Sequence, residues 1–254
     1  MTELLTLTET VARAAGKVLR ERYSQPRDIR VKGVRDIVTD ADFAAQQTIV
    51  DLIRSHDPDA AILSEEGIDP PPDARSIWVV DPLDGTTNYA RHFPTFSTSI
   101  ALVQAGRPVA GVIYDPLHDF LFAAELDRGA TLNGGPIHAS STLDIAEAII
   151  GLDWGRGDRA RTLALSWLSR AGTQCRTIRA IGSAALGLCY AAAGWIDVYY
   201  HAALKPWDGA AGQIIAQEAG VQLFNFDAAS WNYTDETCIA CNPQLKAWAL
   251  ASLL

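Results

Sequence analysis

Two aspartates three residues apart, Asp81 and Asp84, with Pro82 and Leu83 between them, are the residues of this 254-residue sequence best placed to do chemistry. The run before them, residues 77–80, is apolar and largely β-branched, which predicts an interior strand. Pro82 fixes its own φ and biases Asp81 away from the α region, so the strand is expected to turn there. Such a turn can aim both carboxylates and the Leu83 carbonyl at one point, giving three hard oxygen donors of the kind Mg²⁺ prefers. Gly85 permits a close backbone approach. Thr86-Thr87-Asn88 reads as the first turn of a helix, whose N–H groups can seat a phosphate. Carboxylates for a metal beside amides for a phosphate make a phosphoryl-transfer site. The same residues can also form a plain strand-turn-helix with an aspartate cap.

Two further places extend this pattern. Residues 60–63 predict a short strand that ends in Ser64-Glu65-Glu66-Gly67, again carboxylates at a strand end followed by glycine. Glu65, nearest the strand, is the better ligand candidate, with a solvated turn as the alternative reading. Pro206-Trp207-Asp208-Gly209 opens a helix whose next residues, Ala210-Ala211-Gly212, are small enough for close packing. Asp208 there either complements the helix dipole or serves as a last ligand brought across from the far half of the chain.

The elements that must position these groups are legible in outline. Residues 3–24 carry Leu4, Leu7, Val11, Ala15, Val18, Leu19 and Tyr23 at helical spacing, with Thr6-x-x-Glu9 as a candidate capping box. A polar loop, residues 24–36, contains Lys32. Thr39-x-x-Asp42 resembles a second capping box, opening a helix with the apolar face Phe43, Ile49, Val50 and Ile53. Strands over 96–104, 109–114 and 120–125, then a hairpin tip at 128–135, make a meander, so residues 1–143 read as an α+β segment carrying the core motif. From Asp144 onward, strands over 148–152, 177–181, 197–200, 221–224 and 238–240 alternate with helices. Residues 144–254 therefore read as an α/β segment that completes the site within one compact unit.

Composition narrows the function classes. Lys and Arg number 21 against 30 Asp and Glu, for a net charge of −9, with no basic cluster, so no nucleic-acid partner is expected. The start lacks the basic region and cleavage site of a secretory signal, and no apolar run reaches spanning length. No membrane partner is expected, and the default location is cytoplasmic. Cys238-x-x-Cys241 invites a metal or redox reading, but no second such pair accompanies it. Lying in an apolar strand-like run, the two are read as buried free cysteines.

Glu65-Glu66, the stretch 78–88 and the stretch 206–220 together resemble the inositol monophosphatase family, the Mg²⁺-dependent, Li⁺-sensitive group that also includes fructose-1,6-bisphosphatases. The motifs W-x-x-D-P-x-D-G-T-T-N and W-D-x-A-A-G stand in the right order, and the resemblance runs from Lys32 to Asn242. It implies a layered α-β-α-β-α sandwich of the sugar phosphatase type, usually a homodimer. Residue by residue, it makes Glu65, Asp81 and the Leu83 carbonyl ligands of a first Mg²⁺, and Asp81, Asp84 and Asp208 ligands of a second. A weaker third ion near Glu65 would lie under a mobile loop carrying Lys32 and Asp36. Gly85 and Thr86 would give N–H groups to the phosphate. The Thr86 hydroxyl, with Glu65, would position the attacking water, and Asp42 matches a further family carboxylate. Substrate contacts would come from Asp84, Asp208, Ser183 and Ala184, the last two matching a helix start that offers an N–H to the substrate ring.

The resemblance implies a phosphomonoesterase that uses water directly, and no His nucleophile motif or Cys-x₅-Arg loop suggests otherwise. One position departs from the family: Asp197-Val198-Tyr199-Tyr200 is followed by His201 where a glutamate often bonds an inositol hydroxyl. His201 can still bond a sugar hydroxyl or phosphate, or be a strand-end histidine at the surface or a dimer interface. Inositol-1-phosphate ranks first among candidate substrates because the chain lacks added recognition loops. Other sugar phosphates, fructose-1,6-bisphosphate, histidinol phosphate and 3′-phosphoadenosine-5′-phosphate follow. Some bacterial members are reported to bind the transcription machinery without needing catalysis. A binding-only protein would be expected to have lost ligands, yet every expected metal position is filled here.

Overall fold

Thr2, not Thr6, starts the first helix in the computed structural model, which describes residues 2–253; Met1 and Leu254 lie outside the described residues. An N-cap needs extended backbone, which Thr2 has, and its side chain accepts the Leu5 N–H. Thr6 lies inside α1 (Glu3–Arg22), its hydroxyl donating back to the Thr2 carbonyl. The expected polar loop is in part a hairpin, β1 (Ile29–Gly33) against β2 (Asp36–Thr39). Every β1 residue is exposed, so no buried face left an alternation to read. The Thr39–Asp42 box opens α2 (Asp40–His56) as expected, with Asp42 accepting the Thr39 N–H at 2.9 Å. Phe43 is 43% exposed rather than buried. It stands two residues from Ala41 and from Ala45, on the opposite side of the helix from that buried stripe.

The larger sheet holds β3 (Ala61–Ser64), β4 (Ser76–Asp84), β5 (Ser97–Gln104), β6 (Arg107–Asp115), β7 (Phe120–Glu125), β8 (Ala130–Leu132) and β9 (Gly135–Ile137) in sequential order. All neighbours are antiparallel except β3 with β4. The short α3 (Thr86–Ala90) links β4 to β5. β4 does not turn at Asp81 as expected. Its register with β5 slips between Asp81↔Ser99 and Asp84↔Ser97, so three steps on one strand match two on the other. Pro82, which has no N–H for the ladder, sits in this bulge.

The smaller sheet is formed by β10 (Ile149–Asp153), β11 (Thr177–Ala180), β12 (Val198–His201), β13 (Gln222–Phe224) and β14 (Cys238–Cys241), in the order β11-β10-β12-β14-β13. Its helices are α4 (Asp158–Ala171), α5 (Ala184–Ala192), α6 (Pro206–Glu218) and α7 (Lys246–Ala251). Strand alternation sorts the core. Trp78 and Val80 face α1 and α2, whereas Val79 faces α5 and α6. In the smaller sheet, Tyr199 and Cys238 also face α5 and α6, while Tyr200 and Cys241 face α4 and α7. The layers are therefore α1/α2, larger sheet, α5/α6, smaller sheet and α4/α7, the α-β-α-β-α sandwich that the family resemblance implies. Cys238 and Cys241 are buried on opposite faces of one sheet, and both are free thiols. No helix among the described residues is long and apolar enough to cross a membrane.

The small residues of α6 allow it to lie on the larger sheet. A Cβ at Gly111 of β6 would stand 2.7 Å from Ile214 Cγ2 and 2.9 Å from the Ala211 Cα. Gly111→Ala is expected to lower unfolding free energy by about 1–3 kcal/mol through overpacking, read as a lower denaturant midpoint at unchanged slope.

Candidate active site

Parallel pairing of β3 with β4 matches Ser64 to Val80, so the next residues, Glu65 and Asp81, emerge side by side. The Glu65 N–H donates to the Val80 carbonyl at 3.2 Å, tying the two strand ends together. Asp208 arrives from the first turn of α6, where its Oδ2 accepts the Lys205 N–H at 2.7 Å. One carboxylate oxygen each from Glu65, Asp81 and Asp208 lie within 4.8 Å of one another. Asp81 also accepts the Leu83 N–H at 3.0 Å, which turns the Leu83 carbonyl toward Thr86.

This convergence is electrostatically costly. Burial, then the neighbouring Glu65, Asp84 and Asp208 charges, push the Asp81 carboxyl well above its usual range. Burial, Asp84 and Glu65 do the same to Asp208. No Lys or Arg among the described residues forms an ion pair with Asp81, Asp84 or Asp208. Buried oxygen donors repelling one another, without cationic partners, suit a hard divalent cation such as Mg²⁺.

Asp84 is held differently. Its Oδ2 accepts from the Ser183 hydroxyl and from the Ala185 N–H at 2.9 Å, and its Oδ1 accepts the Ala184 N–H at 3.2 Å. Burial pushes it up to about 6, and those three donors oppose the rise. Ser183 and Ala184, expected to offer an N–H to a substrate ring, instead meet the central motif, with the Ala184 N–H engaged by Asp84. Gly85, at φ 91, begins α3, and a Cβ there would stand 3.1 Å from the carbonyl oxygens of both Gly182 and Thr95. The Thr86 hydroxyl lies 3.0 Å from the Leu83 carbonyl and 3.3 Å from Asp42 Oδ1. Asp42 Oδ2 is occupied by Thr39, and burial pushes Asp42 up to about 7.

His201 is buried, which excludes the surface reading. Its Nδ1 accepts the Ala203 N–H at 3.0 Å, placing the ring proton on Nε2. Burial, with Arg156 nearby, lowers it to about 4, so the ring is neutral. Lys32 and Asp36 lie on the β1–β2 hairpin, which reaches the site: Lys32 Nζ is 3.0 Å from Glu66 and 3.6 Å from Glu65.

Arg156 and Asp153 escaped the sequence reading, and Asn88 was read only as part of a helix's first turn and of the family motif. Arg156, in the loop after β10, places its guanidinium 3.3 Å from both Glu65 and Asp36. The Asn88 amide donates to the carbonyls of Thr95, at 2.8 Å, and of Ile181 and Gly182, at 3.2 Å. Asp153 accepts the Gly182 N–H at 2.6 Å and the Tyr199 hydroxyl at 2.7 Å, and burial pushes it up to about 7. Asp153 had a signal, a carboxylate ending an apolar strand like Glu65 and Asp81. Arg156 had none, because glycine-flanked arginines are common in surface loops.

With this geometry in place, the comparisons with known proteins are specific. A sequence model described as "Inositol monophosphatase family" matches residues 1–254. "Nus factor SuhB" of Salmonella typhimurium is 36% identical over 259 residues, covering 100% of this chain and 96% of that protein. "Inositol monophosphatase 1" of Solanum lycopersicum is 33% identical, covering 96% and 92%. Among solved structures, the extragenic suppressor protein suhB from Bartonella henselae superposes with a TM-score of 0.95 at 30% identity, covering 99% of this chain and 98% of that one.

The raised carboxyls make stability depend on pH. Asp84, Asp42 and Asp153 titrate near 6 to 7 when folded against 3.8 otherwise, so the folded state holds more protons across that interval. Their contribution is fully present below about pH 4 and is lost as pH rises through 6 to 7. In chelator, Tm is expected to fall by several degrees between pH 5 and 8; Mg²⁺ at pH 8 should restore it and Asp153→Asn should flatten the slope, all read by calorimetry.

Proposed function

This chain belongs to the inositol monophosphatase family, and from that premise we propose that it is a Mg²⁺-dependent, Li⁺-sensitive phosphomonoesterase acting on inositol-1-phosphate or a related small sugar or polyol phosphate. The observation that carries this reading is the meeting of Glu65, Asp81 and Asp208 within 4.8 Å, beside the Thr86–Asp42 pair. Glu65, Asp81 and the Leu83 carbonyl would hold one ion, and Asp81, Asp84 and Asp208 another. When bound, such ions lower the pKa of a coordinated water and stabilise the leaving alkoxide.

The protein's own groups do the rest. The N–H groups of Gly85 and Thr86 orient the phosphoryl oxygens, and Thr86 with Glu65 orients the attacking water. Thr86 can pass its hydroxyl proton to Asp42 while accepting one from that water, because Asp42, near 7, is poised to take a proton at neutral pH. The water oxygen bonds to phosphorus, the ester P–O bond breaks with its electron pair leaving on the alkoxide, the alkoxide takes a proton from solvent water, and Asp42 returns its proton to solvent. No covalent phosphoenzyme forms.

Inositol-1-phosphate ranks first, supported by the relative named for that activity and by the absence of added recognition loops. Fructose-1,6-bisphosphate, histidinol phosphate and 3′-phosphoadenosine-5′-phosphate are the alternatives. A neutral, buried His201 where a ring-bonding glutamate is common argues for a broader polyol preference than strict inositol recognition. A cytoplasmic homodimer is the proposed form. The second reading is association with the transcription machinery, supported by the Nus factor name of the bacterial relative. That name leaves the expectation of no nucleic-acid partner without support.

Phosphate release should appear with Mg²⁺ across a monoester panel, fastest on inositol-1-phosphate, and fall with Li⁺. Asp81→Asn should abolish Mg²⁺-dependent turnover with the fold intact by circular dichroism, and Thr86→Ala should lower kcat by roughly 10²–10⁴-fold. Activity retained in Asp81→Asn would count against the metal assignment. Capture of RNA polymerase by a phosphatase-inactive protein would favour the second reading.

A further inference from the structure

We propose that Arg156, with Lys32 beside it, supplies fixed positive charge at the outer side of Glu65, so that the acidic cluster takes two divalent ions and excludes a further one there. The inference rests on the metal-dependent reading and adds how many ions this chain admits.

Arg156 is placed by construction. β10 and β12 pair in parallel with Asp153 opposite His201, so the chain leaves β10 beside the end of β12. Gly155, at φ 64, makes the turn, and a Cβ there would stand 2.9 Å from those of both Ala160 and Ala203. The Arg156 carbonyl accepts from Arg35 Nη1 at 2.9 Å, and the same nitrogen lies 2.7 Å from Asp158. With its backbone held, the guanidinium spans two carboxylates: Nη1 is 3.3 Å from Asp36 Oδ1, and Nη2 is 3.3 Å from Glu65 Oε1. Lys32 Nζ approaches that same Glu65 oxygen at 3.6 Å while bonding Glu66 at 3.0 and 3.1 Å. Two cations 124 residues apart in the sequence therefore converge on one carboxylate oxygen.

That placement decides what a further ion would meet. The outer group sets Lys32 and Arg156 against Asp36, Glu65 and Glu66, leaving one net negative charge. The inner carboxylates, Asp81, Asp84 and Asp208, have no cationic side chain in contact. A further ion outside Glu65 would face two fixed cations at short range in a partly desolvated setting, where like charges repel strongly.

The test counts ions. Mn²⁺ titration followed by electron paramagnetic resonance of the free ion, with Mg²⁺ calorimetry beside it, should give two ions per wild-type chain. Arg156→Gln should admit a third, at least 10-fold tighter than any additional binding by wild type, while Arg156→Lys, which keeps the charge, should return the count to two. Lys32→Gln carries the same comparison, with a smaller gain, should Arg156→Gln fail to fold. Three ions in wild type, or two in Arg156→Gln and in Lys32→Gln, would overturn the proposal. Wild-type protein that binds no ion would sink the metal-dependent reading itself.

Discussion

Mutual repulsion among buried carboxylates is the constraint around which this molecule is built. Asp81, Asp84 and Asp208 sit where burial and like charge both disfavour ionisation, so the site alone would push itself apart. The surrounding sandwich supplies the opposing force. Its two large cores, one on each face of the larger sheet, pack the roots of β4 and α6 against apolar neighbours, and the acidic ends have nowhere else to go. Strain of this kind is the form in which a protein prepares a seat for divalent cations.

The seam between the two sheets extends this preparation to the turn that opens α5. Gly85 and Gly182, both with positive φ, let two backbones approach where a side chain would collide. Asn88 reaches from α3 to the carbonyls of Ile181 and Gly182, and Asp153 takes the Gly182 N–H from the smaller sheet. The turn that opens α5 is therefore gripped from both sides before Asp84 touches it. A motif carried by one sheet and a helix start carried by the other are thus tied together by the hydrogen bonds of Asn88, Asp153 and Asp84.

Outside this seam the balance of charge reverses. Lys32 and Arg156 partly offset the charge of Asp36, Glu65 and Glu66, and the β1–β2 hairpin joins them through Arg35 and Asp36. The exposed hairpin thus borders the acidic centre through ion pairs.

The sequence by itself determined which chemical groups stand at the ends of which elements. Asp81, Asp84, Glu65 and Asp208 were legible because strand runs, capping patterns and glycine punctuation are local signals, and the layered architecture followed from the family motifs. The second capping box at Thr39 was equally plain, since its contacts span three residues. Tertiary structure decided the rest. It converted the expected turn at Pro82 into a bulge, buried His201, engaged the Ala184 N–H with Asp84, and brought Arg156 to Glu65 across 91 residues of chain. Those outcomes depend on strand pairing and on which helix is trapped between the sheets. Such contacts leave no periodicity in the chain, because an ion pair between distant loops demands only that each residue be charged, and many others are.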